Sequence, residues 1–368
     1  MSVLATETLI QIFEHLDNPR DLFHVVQTCL VFHGIAIELL YRHIQYRSLK
    51  SFNAQTARWK NAQDGLYSFP QSVVLHDVLR VPQGARWMWN DHYKGTEALQ
   101  VQPQIDLWVR LLSFTFLHTL SISHCLLPDS ESFSYLLQGC QSLRKLSIET
   151  CSFQRKPRGF SVSYGLFPWL PLEELSLLGE NTVTDYRWPY RPPSDAEAGS
   201  FLHLLTVRSI RTLNIDLDYQ NCAFLASRTS SNVISFGNLE RLRLRISKRC
   251  AEGNIPAFLN AHCASVKTLE LLDFADLPSD HLRLRPGALR HLTNYKGPAA
   301  LAPAVAAAGC PLGRLETSDL MMSVSQASKV LGEVGGHRPQ LEALDITIQE
   351  WDVEIHSGCP DEVCRSFH

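Results

Sequence analysis

LHTLSISHC (117–125) and LRKLSIETC (143–151) decide how this chain is read. Each opens Leu-x-x-Leu-x-Ile and closes on a cysteine, Cys125 or Cys151. The six-residue frame returns as LEELSL (172–177), IRTLNI (210–215), LERLRL (239–244) and VKTLEL (266–271). It continues as LRHLTN (289–294), LGRLET (312–317) and LEALDI (341–346). Successive starts lie 26, 29, 38, 29, 27, 23, 23 and 29 residues apart, a period typical of stacked repeats. Strand side chains alternate between faces, so each frame predicts a short strand with its leucines inward and its x positions outward. Stretches 133–140, 196–205, 255–266, 299–308 and 324–331 read as helices between strands. Strand plus helix, repeated, predicts an α/β fold: a curved solenoid with a parallel sheet on its concave side. Val73, Val74, Leu75 and Val78 add an early strand. The seventh and eighth copies end on Asn294 and Thr317 instead of an apolar residue, so stacking is expected to be poorer there.

Upstream, residues 1–46 read MSVLATETLIQIFEHLDNPRDLFHVVQTCLVFHGIAIELLYRHIQY. Leu9, Ile12, Phe13 and Leu16 fall at i, i+3, i+4 and i+7, one apolar stripe of a helix. Asp17-Asn18-Pro19 interrupts it, because the residue before a proline disfavours helical dihedrals. Leu22, Val25, Val26 and Cys29 repeat the spacing, and Phe32, Ile35, Ala36, Leu39 and Leu40 begin a third stripe. Three helices within roughly 50 residues bury too little surface to offset their ordering entropy. No metal motif or plausible disulfide pair staples them. The unit is therefore expected to dock, either as a helical cap on the next domain or on a partner.

The segment resembles an F-box of the fungal F-box-like type. The matching residues are Leu4, Glu7, Leu9, Ile12, Phe13, Leu16, Asp21, Leu22, Val26, Cys29, Phe32, Leu40, Tyr41 and Arg42. It departs from that pattern at Ala5, where proline is usual, and at Leu30, where a basic residue often follows the cysteine. Proline would preset the first-turn dihedral, so Ala5 is expected to weaken that turn without removing the apolar faces. The repeats resemble an irregular leucine-rich-repeat domain. Together the resemblances imply a three-helix F-box at 1–46, a connecting region with the first part of the solenoid at 47–116, leucine-rich repeats at 117–350 and a C-terminal tail at 351–368. The connector holds Trp59, Leu66, Phe69, Val73, Val74 and Leu75, lacks the Gly/Ser composition of flexible chains, and is expected to be rigid.

Of 368 residues, 45% are apolar and 19% charged, which predicts a folded chain. A net charge of −3 argues against a general nucleic-acid binder. No run of 18 apolar residues occurs, and no basic segment precedes an unbroken apolar run at the N-terminus, so neither membrane span nor signal peptide is expected. There is no Asn-x-Ser/Thr acceptor, and the ten cysteines are scattered. That usage favours reduced thiols in cytosol or nucleus.

Outward strand positions are where a partner would bind. They include Thr212/Asn214/Asp216, Arg241/Arg243/Arg245, Thr268/Glu270/Leu272 and, in the seventh copy, His291/Thr293/Tyr295. Period-two arginines present guanidinium forks side by side, suited to carboxylate or phosphate. In register, Arg245 faces Asp216 and Arg243 faces Glu270, so cross-strand pairs absorb both. Arg241, between Thr212 and Thr268, is left as the best ligand contact. The insertion TVTDYRWPYRPPSD (182–195) offers Tyr186, Trp188 and Tyr190, residue types common at interaction hot spots, or else an aromatic plug on the solenoid edge. RWMWNDHY (86–93) has the same character and reads first as a plug.

No phosphate-binding glycine loop, His-Glu-x-x-His or Gly-x-Ser-x-Gly occurs, and no catalytic residue is assigned. His356, Cys359, Cys364 and His368 crowd the C-terminus, but their spacing matches no common zinc module, so neither metal nor cofactor is expected. The resemblance implies docking on a Skp-family adaptor of an SCF-type cullin–RING ubiquitin ligase. Leu4, Leu9, Ile12, Phe13, Leu16, Leu22, Val26, Cys29 and Phe32 would make that contact or pack behind it. The repeats would hold an unknown substrate protein, with Arg241, Arg243, Arg245, Tyr186, Trp188 and Tyr190 as candidate contacts. The chain itself would do no covalent chemistry and would act by proximity. Alternatives are a non-catalytic leucine-rich-repeat scaffold acting outside ubiquitination, and an enzyme whose site is assembled from distant residues.

Overall fold

Residues 4–16, 18–60, 65–78, 107–108, 110–111, 114–127, 133, 136–154, 170–179, 182–184, 209–217, 236–246, 254–272, 282–318, 323–337 and 341–346 are described by the computed structural model of the chain. Its contacts divide into two units, Met1–Leu172 with Gly179–Pro192, and Glu173–Leu178 with Pro193–His368.

The first unit begins with α1 (Thr6–Glu14), α2 (Pro19–Val26) and α3 (Leu30–Arg42). Ala5, at the N-cap of α1, holds φ −63° and gives no side-chain cap. Asn18 caps α2, its side chain accepting from the Arg20 amide at 3.0 Å, and Pro19 occupies the first turn, where its missing N–H costs nothing. The stripes close on one another: Leu9, Phe13, Leu22 and Ala36 are buried, with Leu16, Val25, Val26, Phe32, Ile35, Leu39 and Leu40 packed around them. Phe13 meets the Phe32 ring edge-on at 5.2 Å. Arg42 ties the last helix to the first through Glu14 at 2.8 Å.

Helix α3 runs without a break into β1 (His43–Tyr46), a strand the sequence patterns did not anticipate. β1 pairs in parallel with β2 (Ser72–His76), Ile44 opposite Val73 and Tyr46 opposite Leu75. Between them, α4 (Leu49–Lys60) packs Phe52 edge-on against Tyr46 at 4.9 Å. Thr56, buried on α4, receives a hydrogen bond from Arg110, and its backbone carbonyl accepts one from Tyr67. The described residues of the connector are thus packed, and β2 is the expected early strand.

β2 pairs with β3 (Thr119–Ser123), and β3 with β5 (Lys145–Glu149), all parallel. Val73, Leu75, Leu120, Ile122, Leu146 and Ile148 are buried, as the frame requires. β2, β3 and β5 are each followed by a residue of positive φ, Asp77 at 55°, His124 at 54° and Thr150 at 49°, and Gly179 holds 69°. At Gly179 a Cβ would strike the Thr150 hydroxyl, so glycine is required there. This turn sends the chain into a second parallel sheet of β4 (Leu126–Leu127), β6 (Ser152–Gln154) and β8 (Thr182–Thr184). It also points Cys125 and Cys151 back inside. Their thiols donate to the carbonyls of Ser123 at 3.2 Å and Glu149 at 3.3 Å, which also accept the amides of Asp77 and His124.

The second unit holds β7 (Glu174–Leu178), β9 (Thr212–Leu217), β10 (Arg241–Ile246), β11 (Thr268–Leu272), β12 (Asn294–Gly297), β13 (Arg314–Thr317) and β14 (Ala343–Asp345), parallel and in that order. Each from β9 to β14 opens on an amide bonded to the carbonyl just before the preceding strand, as Thr268 to Glu240 at 3.0 Å. Helices α5 (Asn254–His262), α6 (Ala302–Ala307) and α7 (Val324–Gly336) fall where the pattern put them; 196–205 lies outside the described residues.

The seventh repeat corrects the sequence frame by three residues. Leu269 stands opposite Tyr295, and the Asn294 amide bonds the Lys267 carbonyl, so the unit is LTNYKG (292–297). Tyr295 is buried rather than outward, with its hydroxyl on the Pro298 carbonyl at 2.9 Å. Gly297 fills the last inward position because a Cβ there would come within 2.6 Å of that hydroxyl. Asn294 is therefore an outward residue and not a defect in stacking. Thr317 does take the last inward position of the eighth repeat, buried, its hydroxyl without a partner among the described residues.

Candidate partner-docking surfaces

The helical unit is where the structure separates core from surface. Of the nine residues expected at the adaptor contact, Leu9, Phe13 and Leu22 form the core, and Leu16, Val26 and Phe32 pack on it. Leu4, Ile12 and Cys29 remain at the surface. Three large apolar side chains missed by the stripe reading join them: Phe23, Leu30 and Val31. Leu30 is 90% exposed, Val31 61%, Leu4 55%, Phe23 50% and Ile12 46%. Leu30 and Val31 stand together at the first turn of α3, beside Cys29, whose extended backbone begins the helix. Scattered exposed leucines are ordinary, but five large apolar residues outside the core of so small a unit mark a surface made to be covered. The signal of Phe23, Leu30 and Val31 in the sequence is that they are apolar yet fall off the i, i+3, i+4 stripes; Ile12 falls on its stripe and is nonetheless exposed.

On the second unit, the outward face of β9–β13 is polar. The two ion pairs read from register form: Arg243 Nε reaches Glu270 at 3.2 Å and Arg245 reaches Asp216 at 3.8 Å. Lys296, revealed as outward by the corrected frame, bonds Glu316, and that bond raises the pKa of its ammonium. Arg314 lies 3.7 Å from the same carboxylate. Arg243, Glu270, Lys296 and Glu316 thus alternate in sign along one row of adjacent strands. One level toward the strand starts runs a second row, Thr212, Arg241, Thr268 and Asn294. Arg241 is exposed and has no ion pair or side-chain hydrogen bond among the described residues.

Tyr186, Trp188 and Tyr190, the 86–93 stretch, and His356, Cys359, Cys364 and His368 lie outside the described residues. Among the described residues, no group of three His, Cys, Asp or Glu side chains is placed to hold a metal ion, and no helix is long and apolar enough to cross a membrane.

Comparison with known families matches residues 6–47 to the family described as F-box-like. The chain therefore carries an F-box-like unit followed by leucine-rich repeats, a mixed α/β architecture. Solved structures similar to it include internalin InlF of Listeria monocytogenes, at 16% identity over 64% of this chain and 56% of that one, TM-score 0.30. The leucine-rich-repeat protein LegL7 of Legionella pneumophila matches at 12% identity over 82% and 89%, TM-score 0.34. A chain of the yeast Rad7–Elc1 complex matches at 14% identity over 95% and 86%, TM-score 0.32. No curated protein sequence matches the chain.

Proposed function

We propose that this protein is the substrate-recognition subunit of an SCF-type cullin–RING ubiquitin ligase. The F-box-like unit docks on a Skp-family adaptor through Leu4, Ile12, Phe23, Leu30 and Val31, with Leu9, Phe13 and Leu22 holding those side chains in place. The outward face of the repeats holds a substrate protein. The chain performs no covalent step. It raises the local concentration of substrate lysines near the ubiquitin-charged enzyme. One observation carries this reading: a unit matched to the F-box-like family leaves five large apolar side chains at its surface, outside its own core.

The test is co-expression of the full chain with a Skp-family adaptor, beside a Leu30→Glu/Val31→Glu variant. Both side chains are exposed, so the variant should keep the parent melting temperature while the stoichiometric complex disappears. A folded full chain that forms no complex overturns the reading. A complex that no cullin joins removes ubiquitination and leaves an adaptor-bound scaffold.

A further inference from the structure

The row Thr212, Arg241, Thr268 and Asn294 has a composition unlike the rest of its face. The neighbouring row neutralises itself through Arg243–Glu270 and Lys296–Glu316, and Arg245 is taken by Asp216. In the Arg241 row the two strands beside Arg241 supply no carboxylate; the row's carboxylate, Glu174, stands one strand further out beyond Thr212, and Arg314 stands beyond Asn294. Hydroxyls lie at Thr212 and Thr268, directly opposite Arg241 on both sides, and an amide at Asn294 beyond. None of these three side chains makes a hydrogen bond among the described residues, whereas Asn214, one level along β9, donates to Ser176 at 2.9 Å. Adjacent strands lie about 4.8 Å apart, so four such groups span about 14 Å. A guanidinium fork between two hydroxyls has five N–H donors and two O–H donors. What complements it is a group rich in acceptor oxygens.

We propose that this row is an anion-recognition site, reading a carboxylate or phosphate carried by an extended segment of a partner protein, with Arg241 as the fork and Thr212, Thr268 and Asn294 as its flanking donors. This rests on the sheet face being a protein-binding surface, but it needs no adaptor, so its failure and that of the ligase reading are separable. The paired arginines act as internal controls, because their charge is already satisfied while that of Arg241 is not.

The experiment titrates the full-length protein, at constant ionic strength, with phenyl phosphate and with acetate, following the arginine Nε–H signals by NMR. Saturable binding is expected, with the Arg241 resonance moving most. Arg241→Gln should weaken it about tenfold, the loss expected for a charge-assisted hydrogen-bond pair. Arg245→Gln should change it less than threefold, roughly the scale of an exposed pair. Phenyl phosphate binding at least about tenfold tighter than acetate assigns the site to a phosphorylated segment. Comparable affinities assign it to an acidic one. Absence of saturable binding, or equal loss in both variants, overturns the proposal.

Discussion

Tyr295 and Gly297 exchange volume along β12, and the exchange explains why the seventh repeat misleads. Leu289 and Leu292 imitate the opening Leu-x-x-Leu, and both are buried, so the sequence offers a frame three residues early. Nothing in a linear pattern says that a tyrosine takes the leucine position when a glycine two residues on makes room. Gly297→Ala should cost about 1–3 kcal/mol as an overpacking change, and Tyr295→Leu in the same chain should restore most of it, read as paired melting curves. The cysteines were more legible: Cys125 and Cys151 were placed by the repeat itself. Burial pushes the Cys151 thiol up to about 12 and Cys140 up to about 11. In the unfolded chain both ionise from about pH 8.5. Above that pH the unfolded state binds fewer protons than the folded one, so stability falls as pH rises, present in full below pH ~8.5 and lost through the folded values. Urea melts between pH 8 and 11 should show this alkaline decline, and a Cys140→Ala/Cys151→Ala variant should show a shallower one.

At the level of elements, the helices were read from periodicity and their surfaces were not. A stripe identifies what a helix buries, which is why Leu9, Phe13, Leu22 and Ala36 emerged as expected. It is silent about Phe23, Leu30 and Val31, which are exposed. At Ala5 the backbone already holds φ −63°, the value proline would impose, and the residue is exposed. Ala5→Pro should therefore stabilise the chain by about 0.4–1 kcal/mol through the unfolded state. Asn18→Ala removes the α2 cap and should cost about 1 kcal/mol. Chemical denaturation of the two variants checks both signs. Helix α7 begins with a reciprocal pair, the Ser323 side chain on the Gln326 amide and the Gln326 side chain on the Ser323 amide, which fixes that boundary in the same way.

Across the whole molecule, the helical unit and the repeats were legible because each has its own period. The join between them was not. β1 carries only Ile44 and Tyr46 as inward residues, too short a pattern to separate from the end of α3. Its meaning lies in pairing with β2, a contact 29 residues away in sequence (43 to 72). Removing residues 1–48 would delete β1 and open the β2 edge, leaving Phe52 without the Tyr46 ring. Such a truncation should lower solubility as well as abolish adaptor binding, measurable by light scattering, so point substitutions on the exposed face are the cleaner probe. The same continuity governs inheritance and engineering. The helical unit cannot be grafted from one relative to another by cutting at its last turn, since the recipient would receive a foreign first rung for its sheet. A chimera should fold only if the donor segment brings β1 with the α4 and β2 that it grips. In lineages that shuffle such units, the viable crossover would then lie beyond β2, at least 29 residues (47 to 76) past residue 47, where the family match ends.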